Sequence, residues 1–506
     1  MPAAPTTSAS TCASPTSGTD DGRRRGDLSA LPDPPVHPIA FLETTMTRLS
    51  LFGATALSLI AGAACAAPLA LTNVTIIDAT GRPPIENGVI VMDKGRIVGV
   101  GPKAEVTIPR GAKVLDKAGK YVIPGLMDAN VHLYLNLDAD SLLRFRDRYA
   151  DVIVEGAQLA LKTGQTTVFD TWGPYPDLKA ARDRINSGKD VGARIFFAGN
   201  IIGFDGPVSA DFSEKFQGVL HKDTIDYLNK RWTQGTGRDL LWDTADQVGK
   251  KVADYAKLDV DFLKYAANGH KDMAFAYMSQ HAQDAVVKAG HDAGKTVQSH
   301  VHSVEGIESS IDAGVDILTH CDITPERIIP PELLKKMAQK GVYCSVLPTT
   351  KAHQDTLPKR AVHYQSQSMI NIRNMVQAGV PLMLSTDAGI THPLPMTEPT
   401  LRVDSRTTLG EGHFAALQGL EEINVDPMKA LQIATINVAR GYKLDKDFGT
   451  LERGKYADMV VLDADPMVWA GNYRAIHMVI KAGEVVDLEK LPTAPLISNQ
   501  KIQPHE

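Results

Sequence analysis

One unit recurs along this chain and restricts what it can fold into: an amphipathic helical stretch, a glycine, then a short apolar run. VIVEGAQLALKTG leads into QTTVFD, DAVVKAGHDAG into KTVQSH, and VEGIESSIDAG into VDILTH. LLKKMAQKG leads into VYCSVL, and INIRNMVQAG into VPLMLSTD. A glycine just past a helix end adopts the left-handed conformation without a Cβ clash. The apolar runs read as buried strands, and strands alternating with helices imply a parallel sheet with right-handed crossovers. Enough units lie between Val122 and Gly441 to close a barrel. The expected fold class is α/β, a (β/α)8 TIM barrel over residues 122–441.

Several of these runs end on a residue of metal-ligand type. Asn130 and His132 close VIPGLMDANVH, and Lys264 closes VDFLK. His300 closes TVQSH, His320 closes VDILTH, and Asp387 closes VPLMLSTD. The C-terminal ends of barrel strands are where such a fold keeps its chemistry. One polar residue there is ordinary packing; a series of them is not. His302 lies two residues past His300, so strand alternation puts both on one face.

The flanks read differently. LTNVTII, GVIVMDKGRIVGV and AKVL at one end, and DMVVLD and IHMVIKAGEVVD at the other, are strands with glycine-rich turns. Each flank is too small to bury a core alone. Residues 67–121 and 442–491 are therefore expected to pack together as one small β-sandwich, leaving 492–506 as a C-terminal tail. Between them, Phe204 to Trp242 is long and rich in large side chains, including Phe212, Phe216, Tyr227 and Trp232. It follows ARIFFAG, which places it over the barrel mouth as a lid or as an excursion with its own small core.

Residues 1–45 are rich in Ala, Pro, Ser and Thr and have little to bury. From Met46, Arg48 supplies a positive start, Leu49 to Ile60 an apolar core, and Ala64-Cys65-Ala66 a cleavage site. Residues 46–66 read as a secretory signal, so a periplasmic or secreted location is expected and 1–45 as an over-extended start. Lipidation at Cys65 is the variant of that reading. Cys321 and Cys344 then remain, too few for a disulfide framework, and are expected reduced. A formal net charge of −6 gives no electrostatic reason to expect nucleic acid, and no interior apolar run has membrane-spanning length.

Taken together, PGLMDANVHL, ATINVARG and GTLERGKYADMVVLD resemble the metal-dependent amidohydrolase superfamily across nearly the whole chain after residue 66. The resemblance implies a His-x-His pair at strand 1, a carbamylated lysine or a glutamate at strand 4, histidines at strands 5 and 6, and an aspartate at strand 8. His132, Lys264, His300, His320 and Asp387 match those positions. Asn130 departs from the pattern, standing where the first histidine is expected. That Asn-x-His pattern resembles the branch of phenylurea hydrolases and molinate hydrolase, which cleave ureas and thiocarbamates with hydrophobic substituents. A divalent metal is implied, zinc first, with iron, cobalt or manganese as substitutes, and one or two ions.

The expected activity is hydrolysis of an amide, urea or carbamate C–N bond by metal-activated water. The substrate expected is a small hydrophobic molecule, aryl-bearing or an N-acyl amino acid. Asp387 would move the proton and His302 would bond the substrate carbonyl or oxyanion. The bland alternatives are an ion pair of Lys264 with Asp387, and mere support of the site by His302. His270 and His392 read as solvated loop residues, and Tyr265 as packing. Rival functions are a dipeptidase or acyl-amino-acid peptidase, a cyclic-imide hydrolase, or a barrel that binds without catalysis. A peptidase would need a carboxylate-binding cation, for which Arg144, Arg146, Arg148 and Arg231 are the candidates. The flanking strands offer edges that could pair in a homo-oligomer.

Overall fold

The structure is a computed structural model that describes residues 67–134, 139–213, 217–270, 275–325, 327–356, 367–390 and 408–498. The expected signal segment, the stretch before it, Phe216 and His392 lie outside the described residues. All described residues belong to one compact unit, Ala63–Glu506. Among them, no helix is long and apolar enough to cross a membrane.

Eight parallel barrel strands run in chain order. Strand 1 is Leu126–His132, strand 2 Gln165–Asp170, strand 3 Arg194–Phe197 resuming at Ile201–Ile202, and strand 4 Leu263–Ala266. Strand 5 is Val297–His300, strand 6 Ile317–Thr319, strand 7 Tyr343–Val346, and strand 8 Leu382–Leu384 resuming at Ala388–Gly389. The hydrogen-bonded ladder falls into two arcs, joined by the two strands that break and resume. The break in strand 8 holds Asp387 at φ 56°, and its N–H donates to the Asn130 carbonyl at 2.9 Å. A side chain in left-handed backbone persists only where its surroundings fix it. The glycine punctuation behaves as the sequence pattern implies: Gly314 and Gly341 end their helices at φ 87° and 66°.

Side-chain alternation divides the barrel interior into a floor and a ceiling. Met127, Ala129, Phe169, Phe262, Ile317 and Met383 pack against Ile436, Val438 and Tyr442 as an apolar floor. Two residues further along their strands, the same face carries Thr171, Lys264, Thr319 and Ser385. His300 stands likewise above Gln298, whose Oε1 accepts from the Tyr442 hydroxyl at 3.4 Å. The chain thus builds a dry base under a polar mouth.

Both flanks join one eight-stranded sheet, the small β-sandwich domain of the fold. Tyr121–Pro124 pairs with Leu69–Ile76 from one flank and with Met459–Leu462 from the other. Leu71, Ile76, Ile90, Val122, Met459, Val461 and Ile480 form its core. The tail docks on helix Tyr149–Lys162, where Glu155 accepts from the N–H groups of Leu496, Ile497 and Ser498 at 2.7, 3.1 and 2.8 Å.

Two details go beyond the sequence reading or against it. The 204–242 segment contains helix Lys222–Thr233, and Trp232 is buried against Tyr149 and Trp172 at ring distances of 5.6 and 5.9 Å. Phe204, Leu228 and Trp232 thus join the main hydrophobic core and Phe212 packs against it, stacked on Trp172 at 3.9 Å, while Tyr227 and Trp242 are exposed. Cys321 and Cys344, expected reduced, are instead joined as a disulfide with Cα atoms 6.1 Å apart. Cys344 pairs in register with Leu318, which brings the residue just past strand 6 across to strand 7 within bonding span.

Candidate active site

The strand ends bring the candidate residues together as two adjoining sets. On strands 1, 4 and 8, Asn130 Nδ2 donates to Asp387 Oδ1 at 2.9 Å, and His132 Nε2 lies 3.1 Å from the same oxygen. Lys264 Nζ donates to Thr171 Oγ1 at 3.0 Å and to Asn130 Oδ1 at 3.5 Å, while the Thr171 hydroxyl bonds that amide oxygen too. Both ends of the Asn130 amide are therefore engaged.

At and just past the ends of strands 5 and 6 stand three buried histidines, His300, His302 and His320, each with a ring nitrogen within 4.8 Å of the others. His302 and His320 stack at 4.1 Å, and His300 stands edge-on to both, 4.7 and 4.6 Å away. The sequence reading left His302 between bonding the substrate and supporting the site; the structure groups it with His300 and His320 as donors that could hold a metal ion. His320 Nδ1 lies 2.9 Å from the Val301 carbonyl, which turns Nε2 into the barrel. His300 Nε2 is buried with no protein partner.

Electrostatics sort these groups by charge. Burial, with His320, His302 and Lys264 nearby, drives His300 well below the usual histidine range. Burial likewise holds His320 well down and pushes His302 to about 3. All three are neutral imidazoles, the form that binds a metal. Burial would raise Asp387, but the hydrogen bond and charge interaction with His132 and the charge of Lys264 hold it well below the usual carboxylate range. Burial lowers Lys264 to about 8, against the pull of Asp387 and Asp170. Neutral imidazoles, one of them with an orphaned buried nitrogen, beside an ionised carboxylate fit a divalent cation.

Aromatic rings wall this site. Phe204 meets His300 edge-on at 5.3 Å, and Trp172 stands 6.2 Å from His132. Phe212 bridges Trp172 and His270, the latter at 5.1 Å. His270, read from sequence as a solvated loop residue, is exposed but lies 5.7 Å from His300. Tyr265 points away and bonds Gln283 at 3.1 Å in the outer layer.

The chain belongs to the amidohydrolase family, whose sequence profile matches residues 121–486. It is a metal-dependent enzyme hydrolysing C–N bonds of a small-molecule substrate, and the non-catalytic reading is set aside. Among solved structures, it is similar to molinate hydrolase, with 32% identity and a TM-score of 0.82 over 87% of this chain and 99% of that one. Phenylurea hydrolase B is 34% identical, with a TM-score of 0.81 over 86% of this chain and 100% of that one. An imidazolonepropionase of Geobacillus thermodenitrificans (strain NG80-2) is 24% identical over 427 residues, 79% of this chain and 90% of that protein.

Proposed function

We propose that this enzyme cleaves an acyclic amide, urea or carbamate C–N bond in a substrate bearing an aryl or similarly hydrophobic group. One observation carries the reading: neutral His300, His302 and His320 face ionised Asp387 inside a wall formed by Phe204, Phe212 and Trp172. The similarity to molinate hydrolase and phenylurea hydrolase B supports it. Arg144, Arg146, Arg148 and Arg231, the cations a peptidase would need, are paired with Asp140, Asp147, Asp151 and Asp177 at 2.6, 3.3, 3.0 and 2.7 Å. That weighs against capture of a peptide carboxylate by these four. The likeness to an imidazolonepropionase makes opening of a cyclic amide the second reading.

His300, His302 and His320 would hold the cation, zinc by their donor chemistry, with the ionised Asp387 close enough to feel His302 and His320. Bound there, a divalent cation polarises a carbonyl and brings the pKa of water towards neutrality. Asp387 Oδ1 is occupied by Asn130 and His132, so Oδ2 takes the proton of the attacking water and returns it to the departing nitrogen. The committed Asn130 amide favours one ion over two. Lys264, lowered to about 8, has enough free amine near neutrality to take up carbon dioxide as a carbamate. The Cys321–Cys344 disulfide supports an exported, oxidising location.

The test is elemental analysis of purified enzyme, with activity on an anilide and a phenylurea followed through chelation and metal return. About one equivalent of metal, with activity lost on chelation and restored, is expected. Absence of hydrolysis with any divalent metal supplied would sink the reading.

A further inference from the structure

The loop after strand 4 delivers to the mouth a side chain that none of these steps uses. His270 Nδ1 lies 3.0 Å from the main-chain oxygen of Asp211. A carbonyl oxygen only accepts, so Nδ1 carries the proton and Nε2 of the neutral ring presents a lone pair. The Asp211 end is itself fixed. Its carboxylate accepts from the Asp205 N–H at 3.0 Å and the Tyr277 hydroxyl at 3.3 Å, and Arg238 stands 3.5 Å away. The ring's faces and edges are bounded by Phe212, His300 and Phe204 at 5.1, 5.7 and 6.3 Å. Phe204 and His300 are buried beside it, whereas His270 keeps an exposed side at this wall.

A secondary amide, a urea or a carbamate brings a donor to this site as well as a carbonyl. Its N–H needs an acceptor once water is displaced, because an unpaired polar group in a closed site is costly. Lys264 donates to Thr171 and Asn130 as the amine and as a carbamate would be turned to the cation, and Asn130 is committed at both ends of its amide. Asp387 Oδ2 serves the attacking water, and His300, His302 and His320 face the cation position. His270 Nε2 is an acceptor at the aromatic wall that none of these assignments uses. We propose that His270 Nε2 accepts the substrate N–H next to the scissile carbonyl, selecting substrates with a hydrogen on that nitrogen over their N-alkylated counterparts. This rests on the C–N hydrolase reading and adds to it the degree of substitution of the nitrogen.

The experiment compares an N-aryl amide with its N-methyl analogue on wild type, His270→Ala and His270→Gln, with metal content measured for each. Wild type is expected to favour the N–H substrate in kcat/KM, and His270→Ala to lose roughly tenfold of that preference at unchanged metal content. His270→Gln, whose amide oxygen accepts, is expected to recover part of it. A preference ratio that is the same in wild type and His270→Ala overturns the inference while leaving the hydrolase reading intact. Failure of wild type to cleave either amide with any divalent metal overturns both.

Discussion

Asn130 ties together, with one amide, the set formed by the ends of strands 1, 2, 4 and 8. Its Nδ2 donates to Asp387, while its oxygen accepts from Lys264 and Thr171. A carboxylate there would lose the donor and set a second anion against Asp387. Asn130→Asp is therefore expected to lower kcat at least about tenfold, the scale of one charge-assisted hydrogen bond. Asn130→His would supply a further imidazole and raise the metal bound per chain, while releasing Lys264 from the amide oxygen. Steady-state kinetics with elemental analysis checks both; wild-type kcat in Asn130→Asp would remove the amide from the mechanism. The convergence of Asn130, His132, Lys264, His300, His320 and Asp387 is legible in sequence because each sits at or just past the end of an apolar run. His270 is not legible in that way. It is placed by an oxygen 59 residues earlier in the chain, across two loops, and no periodicity encodes such a contact.

At the scale of elements, the loop leaving strand 6 has to hold His320 at φ 44°, and one side chain staples several of its groups beside the Cys321–Cys344 bond. Asn371, on helix Ser368–Ala378, donates to the Asp322 carbonyl at 3.0 Å and Thr324 Oγ1 at 2.8 Å, and accepts from the Ile329 N–H at 2.9 Å. Asn371 and Asp322 are fully buried, so Asn371→Ala strands several polar groups at once. A loss of roughly 2–4 kcal/mol is expected, since each orphaned group costs about 1–3 kcal/mol. Urea unfolding measures it, and a change below about 0.5 kcal/mol, the range of an ordinary surface substitution, would show that the loop stands without the staple. The helix–glycine–strand units are readable because period and punctuation are local properties. The staple and the Cys321–Cys344 bond are not, because the first depends on how helix Ser368–Ala378 packs on that loop and the second on which residue of strand 7 lies opposite strand 6.

At the scale of the whole molecule, the sheet built from both chain ends meets the barrel wall, and a misfit charge lies at that seam. The all-β character of each flank, and its need for the other, was plain from strand patterns too small to bury a core. Which side chains would face the barrel was not, since that follows from packing between distant parts of the chain. Lys481, ending strand Ile476–Lys481, reaches the Gly192 carbonyl ahead of barrel strand 3 at 2.6 Å. Burial and the neighbouring Arg194 push it down to about 8, with Asp458 only partly opposing them. Arg194 already bonds Asp458, at 3.4 Å. In the unfolded chain this lysine keeps its ordinary value of 10.5. Between the two values the unfolded state binds more protons than the native state, so stability rises with pH across that window. Below pH 8 both states are charged, and the native state carries the full burden of the buried cation. Lys481→Met keeps the apolar stem and removes the titration. Relative to this variant, wild type should gain roughly 2 kcal/mol between about pH 7.5 and 10.5, the linkage span discounted for residual exposure. Unfolding curves at several pH values decide the matter: parallel profiles for the two proteins would mean that Lys481 titrates as a solvated lysine and that the seam carries no strain of charge.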